Sequence, residues 1–207
     1  MTEYLTEQEQ IEVLKKWLKQ YSLVILAGVA LAVIAVMGWR YWQERQAKIL
    51  NHASVLYDGM LNQSALNHPD EAAAKAKKLI NKYPKTVYSQ FAAFMLAKDA
   101  AMNKDYATAN KQLTWVIDHS NISAFRQIAR IRLAQVMLAN HQPEAALKTL
   151  EKVEDKSFNG LIYEMKGDAY LALKNLPSAR QAYQQALTDL PNAEGIRPLL
   201  QMKYDNL

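Results

Sequence analysis

The chain has 207 residues, half of them hydrophobic, with 25 Lys and Arg against 20 Asp and Glu and no cysteine. Without cysteine, disulfides, thiolate metal sites and thiol catalysis are excluded. The net charge of +5 is spread along the chain with no compact Lys/Arg block and no interleaved aromatics, so nothing points to a nucleic-acid partner.

The N-terminal tail, residues 1–19, reads as an amphipathic lead-in. Thr6 followed by Glu9 fits a capping box, in which hydroxyl and carboxylate satisfy two helix-end N–H groups reciprocally. Beyond it Ile11, Leu14, Trp17 and Leu18 fall on one helical face, with Glu12 and Lys16 paired four apart. Such a face suits the membrane surface, and a plain helical extension without a partner has the same pattern.

Residues 20–39 carry no charge, and at about 1.5 Å per residue they are long enough to cross a hydrocarbon core of about 30 Å. Trp17 and Tyr21 at the start and Trp39, Tyr41 and Trp42 at the end stand where aromatic rings settle at headgroup level. A transmembrane helix is expected here. The competing reading is a cleaved signal peptide, because Ala30-Leu31-Ala32 matches a small-x-small site; cutting there would leave an apolar new N-terminus. Charge does not orient the span, since Lys15, Lys16 and Lys19 on one side balance Arg40, Arg45 and Lys48 on the other.

Residues 40–207 hold one domain's worth of chain with a net charge of +6. Tyr41 to Leu50 contains neither Pro nor Gly, so the apolar helix is expected to continue into the first helix of this domain. Asn51 to Gln63 reads as a helix, Ser64 to Pro69 as a loop, and Asp70 to Tyr83 as an Ala- and Lys-rich helix stopped by Pro84.

A repeat follows. Counting from Gln90, the residues at positions 7, 8, 20, 24 and 27 are Leu96, Ala97, Ala109, Leu113 and Val116, around a turn at Asn103-Lys104-Asp105. Counting from Gln127, the same frame holds Leu133, Ala134, Ala146, Leu150 and Val153, with Met137 at position 11 and a turn at His141-Gln142-Pro143; about three residues are inserted near Ser120 to Ser123. The frame is sharpest from Gly160, where Tyr163, Gly167, Tyr170, Ala179, Tyr183, Ala186 and Pro191 stand at 4, 8, 11, 20, 24, 27 and 32, with a turn at Asn175-Leu176-Pro177. These positions resemble the tetratricopeptide unit, in which small residues let two antiparallel helices cross closely and aromatics fill the gaps beside them. The predicted fold class is all-α: a single N-terminal transmembrane helix followed by a short tetratricopeptide-like helical solenoid.

Catalytic chemistry finds no support. His52, His68, His119 and His141 are isolated, so no metal site is expected, and the six glycines form no phosphate cradle. Glu151, Glu154 and Asp155 crowd one helix end and read as a solvated face. No cofactor is expected, and the chain reads as a non-enzyme.

The tetratricopeptide resemblance implies a concave surface lined by the first helix of each pair. The larger residues in its lining register are Phe91, Phe94, Lys98 and Met102, then Ile128, Ile131, Gln135 and Leu138, then Leu161, Glu164, Asp168 and Leu171. An apolar groove with a few charges suits an extended polypeptide. The competing reading is that preceding helices or the C-terminal tail cover these positions.

Several stretches together resemble one family. They are Gly38-Trp39-Arg40-Tyr41-Trp42, Ala145 to Leu150, Gly167-Asp168-Ala169 with Ala179-Arg180, and Gln201-Met202-Lys203 with Asn206-Leu207. The family is that of the YfgM-like ancillary subunits of the SecYEG translocon. The resemblance implies an inner-membrane protein with a cytoplasmic tail at 1–19, a span at 20–39 and a periplasmic domain at 40–207. It also implies association with the Sec translocon and with periplasmic chaperones or exported polypeptides. The expected function is a non-enzymatic scaffold; the alternative is a membrane-tethered regulator whose cytoplasmic tail binds a signalling protein.

Overall fold

A computed structural model describes residues 7–153, 156–190 and 195–207, and every regular element among them is helical. The expected capping box lies outside the described residues in Thr6 and in the Glu9 side chain. Two compact units divide the chain between Asn51 and His52.

One helix, α1 (Glu7–Ala65), carries the apolar run and continues without a break, as the lack of Pro and Gly from Tyr41 to Leu50 predicts. Every side chain from residue 10 to 48 is exposed. Leu23 at 80% and Leu26 at 70% are the extremes of an apolar surface left exposed among the described residues.

The second unit is a series of helix pairs. The C-terminal end of α1 pairs with α2 (Pro69–Lys82), α3 (Val87–Met102) with α4 (Tyr106–His119), α5 (Ser123–Ala139) with α6 (Pro143–Leu150), and α7 (Asn159–Ala172) with α8 (Leu176–Asp189). A short 3₁₀ turn, Lys156–Phe158, precedes α7, and α9 (Arg197–Asp205) follows the last pair. Ala53 and Met60 of α1 pack on Ala72, Ala76 and Leu79 of α2, each later helix packs on the next, and the first helices α3, α5 and α7 also touch in sequence.

The turns inside the pairs repeat one device. Asn67, Lys104, His141 and Lys174 have φ of 61°, 59°, 58° and 59°, the left-handed region, and each leads from the first helix of a pair into the second. The N–H of each left-handed residue reaches back three residues, and the next N–H reaches back five. Examples are Lys104 to the Ala101 carbonyl at 3.0 Å and Asp105 to the Ala100 carbonyl at 2.8 Å. The second helices then start on Pro or on a capping side chain. Asp105 accepts from the Thr108 N–H at 3.0 Å, and Asn175 from the Ser178 N–H at 3.2 Å. The last turn therefore spans residues 173–175, with Leu176 and Pro177 already inside α8.

The repeat positions form the core. Ala97, Ala134 and Gly167 at position 8, Ala109, Ala146 and Ala179 at position 20, and Leu113, Leu150 and Tyr183 at position 24 are all buried. The first pair obeys the same frame when counted from Ala53, which puts Met60, Ala72, Ala76 and Leu79 at 8, 20, 24 and 27; all four are buried in one cluster. Val153 is only half-buried because α6 ends at Leu150. Pro191, expected to end the last helix, lies outside the described residues; α8 ends at Asp189.

Candidate functional site

The register residues of the first helices divide by burial. On α3, Phe91 and Met102 are exposed, Lys98 is exposed and Phe94 is half-buried. On α5, Ile131 is buried with Ala134, Ala146, Leu150, Ile162 and Met165, and Leu138 packs against that cluster; Ile128 is half-buried and Gln135 exposed. On α7, Leu161 packs against the same cluster, Leu171 is exposed, Glu164 is buried and Asp168 is half-buried.

Four of these residues meet at one cavity of about 550 Å³ between α3 and α5, where Phe94, Lys98 and Met102 face Gln135. Ala97, Leu113 and Val136 make its apolar base, and Tyr106 and Arg132 complete the walls. The Arg132 guanidinium stands over the Phe94 ring, 5.0 Å from its centre. Arg132 was not expected at the site, and the sequence offers three arginines on α5 without distinguishing them. Arg126 donates to the Ser120 carbonyl at 2.9 Å and Arg130 to the Gln127 side-chain oxygen at 3.0 Å, which leaves Arg132 to the cavity.

An aromatic row leads to this cavity across the first helices. Tyr57 lies 6.0 Å from Phe91, Phe91 lies 5.4 Å from Phe125, and Phe125 meets Phe94 edge-on at 6.2 Å. Offset and edge-on ring pairs at these spacings are mutually attractive. The row joins α1, α3 and α5 on one side of the second unit.

The acidic end of the register is occupied from within the chain. Lys203 on α9 donates to both Asp168 carboxylate oxygens at 2.9 Å and to Glu164 at 3.0 Å. Tyr183 donates its hydroxyl to Asp168 at 2.7 Å. Burial of the Tyr183 ring and then its bond to Asp168 push the phenol above its ordinary value. Burial pulls the Lys203 ammonium down, but the bonds and charges of Asp168 and Glu164 outweigh it and leave that group raised. Helix α9 was not foreseen, although Leu200, Tyr204 and Leu207 lie at helical spacing and all reach the cluster of Ala179, Tyr183 and Ala186.

Among the described residues no group of three or more His, Asp or Glu side chains is arranged to hold a metal ion. Of the acidic cluster expected beside α6, Glu154 and Asp155 lie outside the described residues, and Glu151 is exposed.

A family model described as a tetratricopeptide repeat-like domain matches residues 15–207. The ancillary SecYEG translocon subunit of Haemophilus influenzae is 31% identical over 205 residues, 98% of each chain. Its counterpart in Escherichia coli is 27% identical over 99% of this chain and 98% of its own, and that of Neisseria gonorrhoeae 29% over the full length of both. No solved structure matches the chain. A repeat-family match over all the helix pairs, with end-to-end likeness to these relatives, means that the chain belongs to the tetratricopeptide repeat-like family of ancillary SecYEG translocon subunits.

Proposed function

We propose that this protein is a non-enzymatic, single-pass scaffold at the Sec translocon, and that its solenoid offers a groove to periplasmic chaperones or exported polypeptides. The observation that carries the reading is the pairing, in one chain, of an uncovered apolar helix with an open repeat surface. The run at 20–39 has the length and the aromatic borders of a membrane span, and none of the described residues buries it. The cavity between α3 and α5 and the aromatic row beside it supply adaptable apolar contact of the kind that extended chains use. The relatives' common name supports the translocon as the partner. In this reading residues 1–19 are cytoplasmic, 20–39 cross the inner membrane and 40–207 are periplasmic.

Two measurements on the full chain in its membrane test it. Photo-crosslinking residues at Lys98, Met102 and Leu171, all exposed, are expected to capture translocon, chaperone or exported chain, and failure at all three would sink the groove. Single cysteines replacing Glu12 and Lys104 report topology, because the chain has no other thiol. A membrane-impermeant reagent applied from the periplasmic side is expected to label position 104 alone; labelling at 12 alone would reverse the orientation.

A further inference from the structure

The cavity between α3 and α5 has two cations on its wall, Lys98 and Arg132, and no acidic residue among those that line it. Neither side chain makes an ion pair with any described residue. The carboxylates at the other end of the register already hold Lys203 at 2.9 and 3.0 Å. The first helices therefore present two electrostatic sites of opposite sign. The acidic one is filled by the chain's own C-terminal helix, and the cationic one is open.

The same cavity has room for a large side chain and its neighbours. Its volume of about 550 Å³ falls inside the range of roughly 300–1,000 Å³ usual for ligand pockets. Phe94, Leu113, Val136 and Met102 make an apolar floor and rim, and Met102 is 73% exposed, free to adapt its thioether to what enters. The Arg132 guanidinium stands 5.0 Å from the centre of the Phe94 ring, which holds a planar, carboxylate-matching fork at the edge of the apolar floor. The aromatic row from Tyr57 through Phe91 and Phe125 runs into this point, giving a continuous track across α1, α3 and α5.

From these features we infer that the cavity receives an internal segment of extended polypeptide, with a large apolar side chain seated against Phe94 and Met102 and an adjacent Asp or Glu side chain held by Lys98 and Arg132. This deepens the groove reading given above and rests on it. The groove is selective in this form: it favours acidic-apolar segments over basic ones, since a basic residue at the same place meets two like charges.

The probe is a short fluorescent peptide with a Leu-Phe-Glu core and blocked ends, titrated by anisotropy against the full chain in detergent. Counterparts carry Gln or Lys in place of Glu, and a fourth peptide lacks the acid but has a free C-terminal carboxylate. The Glu peptide is expected to bind roughly two- to fivefold tighter than the Gln peptide at low salt, the size of an exposed charge pair. The Lys peptide is expected to bind weakest, and added salt should narrow the gap. The double variant Lys98→Gln, Arg132→Gln should bring Glu and Gln peptides to equal affinity, and Lys98→Glu with Arg132→Glu should reverse the preference toward Lys. Equal binding of the Glu, Gln and Lys peptides overturns the charge assignment and leaves the groove standing. Preference for the free C-terminus overturns the internal-segment assignment. Absence of binding by all four peptides removes the groove itself.

Discussion

Burial opposes the charge on Lys203, and only the two carboxylates beside it keep the ammonium above its ordinary value. A lysine whose pKa is higher in the fold than in the unfolded chain contributes stability that is complete below the unfolded value of about 10.4 and disappears as pH rises through the folded one. Tyr183 works in the same direction: its phenol is raised by burial and by the bond to Asp168, so the fold holds that proton more tightly than the open chain does. Both groups place the loss on the alkaline side, above about pH 10. Replacing Lys203 by Met leaves Glu164 and Asp168 facing each other without a cation. The expected cost is roughly 1–2 kcal/mol at neutral pH, discounted because the pair is partly exposed. Thermal unfolding of the two proteins from pH 7 to 11 checks this, and the variant should lose less stability than the parent as pH rises. Identical alkaline slopes would show that Lys203 does not carry the linkage.

At the scale of the element, two helices of a pair cross as closely as positions 8 and 24 allow. In the last pair Gly167 leaves room for the buried Tyr183 ring, and a Cβ at 167 would collide with that ring. Gly167→Ala is therefore expected to destabilise the domain by about 1–3 kcal/mol, as overpacking does, despite the better helix propensity of Ala. Tyr183→Leu should recover part of the loss in the double variant, and additive losses in a denaturant-unfolding cycle would refute the interlock. The same two positions explain what could be read from the sequence. Gly167 and Tyr183 match the frame directly, so the last pair is plain. In the first pair the sizes are exchanged, Met60 at position 8 and Ala76 at position 24, and the volume is conserved while the pattern is hidden. Helix α9 escaped because one short amphipathic helix after a loop has no repeat to announce it. At the cavity, Phe94, Lys98, Met102 and Gln135 followed from register alone, whereas Arg132 depended on which of three arginines found other partners. Ile131, Leu138 and Leu161 share that register but serve the core between pairs, because a groove residue near a neighbouring helix is also an interface residue.

For the whole molecule, the buried hydrophobic residues are distributed on one side of a single boundary. The first of them among the described residues is Ala53, and the last is Leu200. Solenoids draw their stability from contacts between neighbouring repeats, and their ends must be covered to keep the last interface from water. Helix α9 covers the C-terminal end, where Leu200 seals Tyr183 and Ala186. At the other end, Ala53 and Met60 of α1 cover Ala72, Ala76 and Leu79 of α2. A chain beginning at His52 keeps both covers and discards the exposed apolar run. It is expected to be a helical monomer in detergent-free buffer with a cooperative thermal transition, measured by circular dichroism and sedimentation. A chain beginning at Pro69 loses Ala53 and Met60 and bares the α2 face. Its transition should fall by several degrees or the protein should associate, since even a few buried aliphatic contacts are worth about 2–5 kcal/mol. If the chain from His52 aggregates while the full chain in detergent does not, the apolar run takes part in holding the repeats together, and the boundary drawn by the buried residues is not a folding boundary.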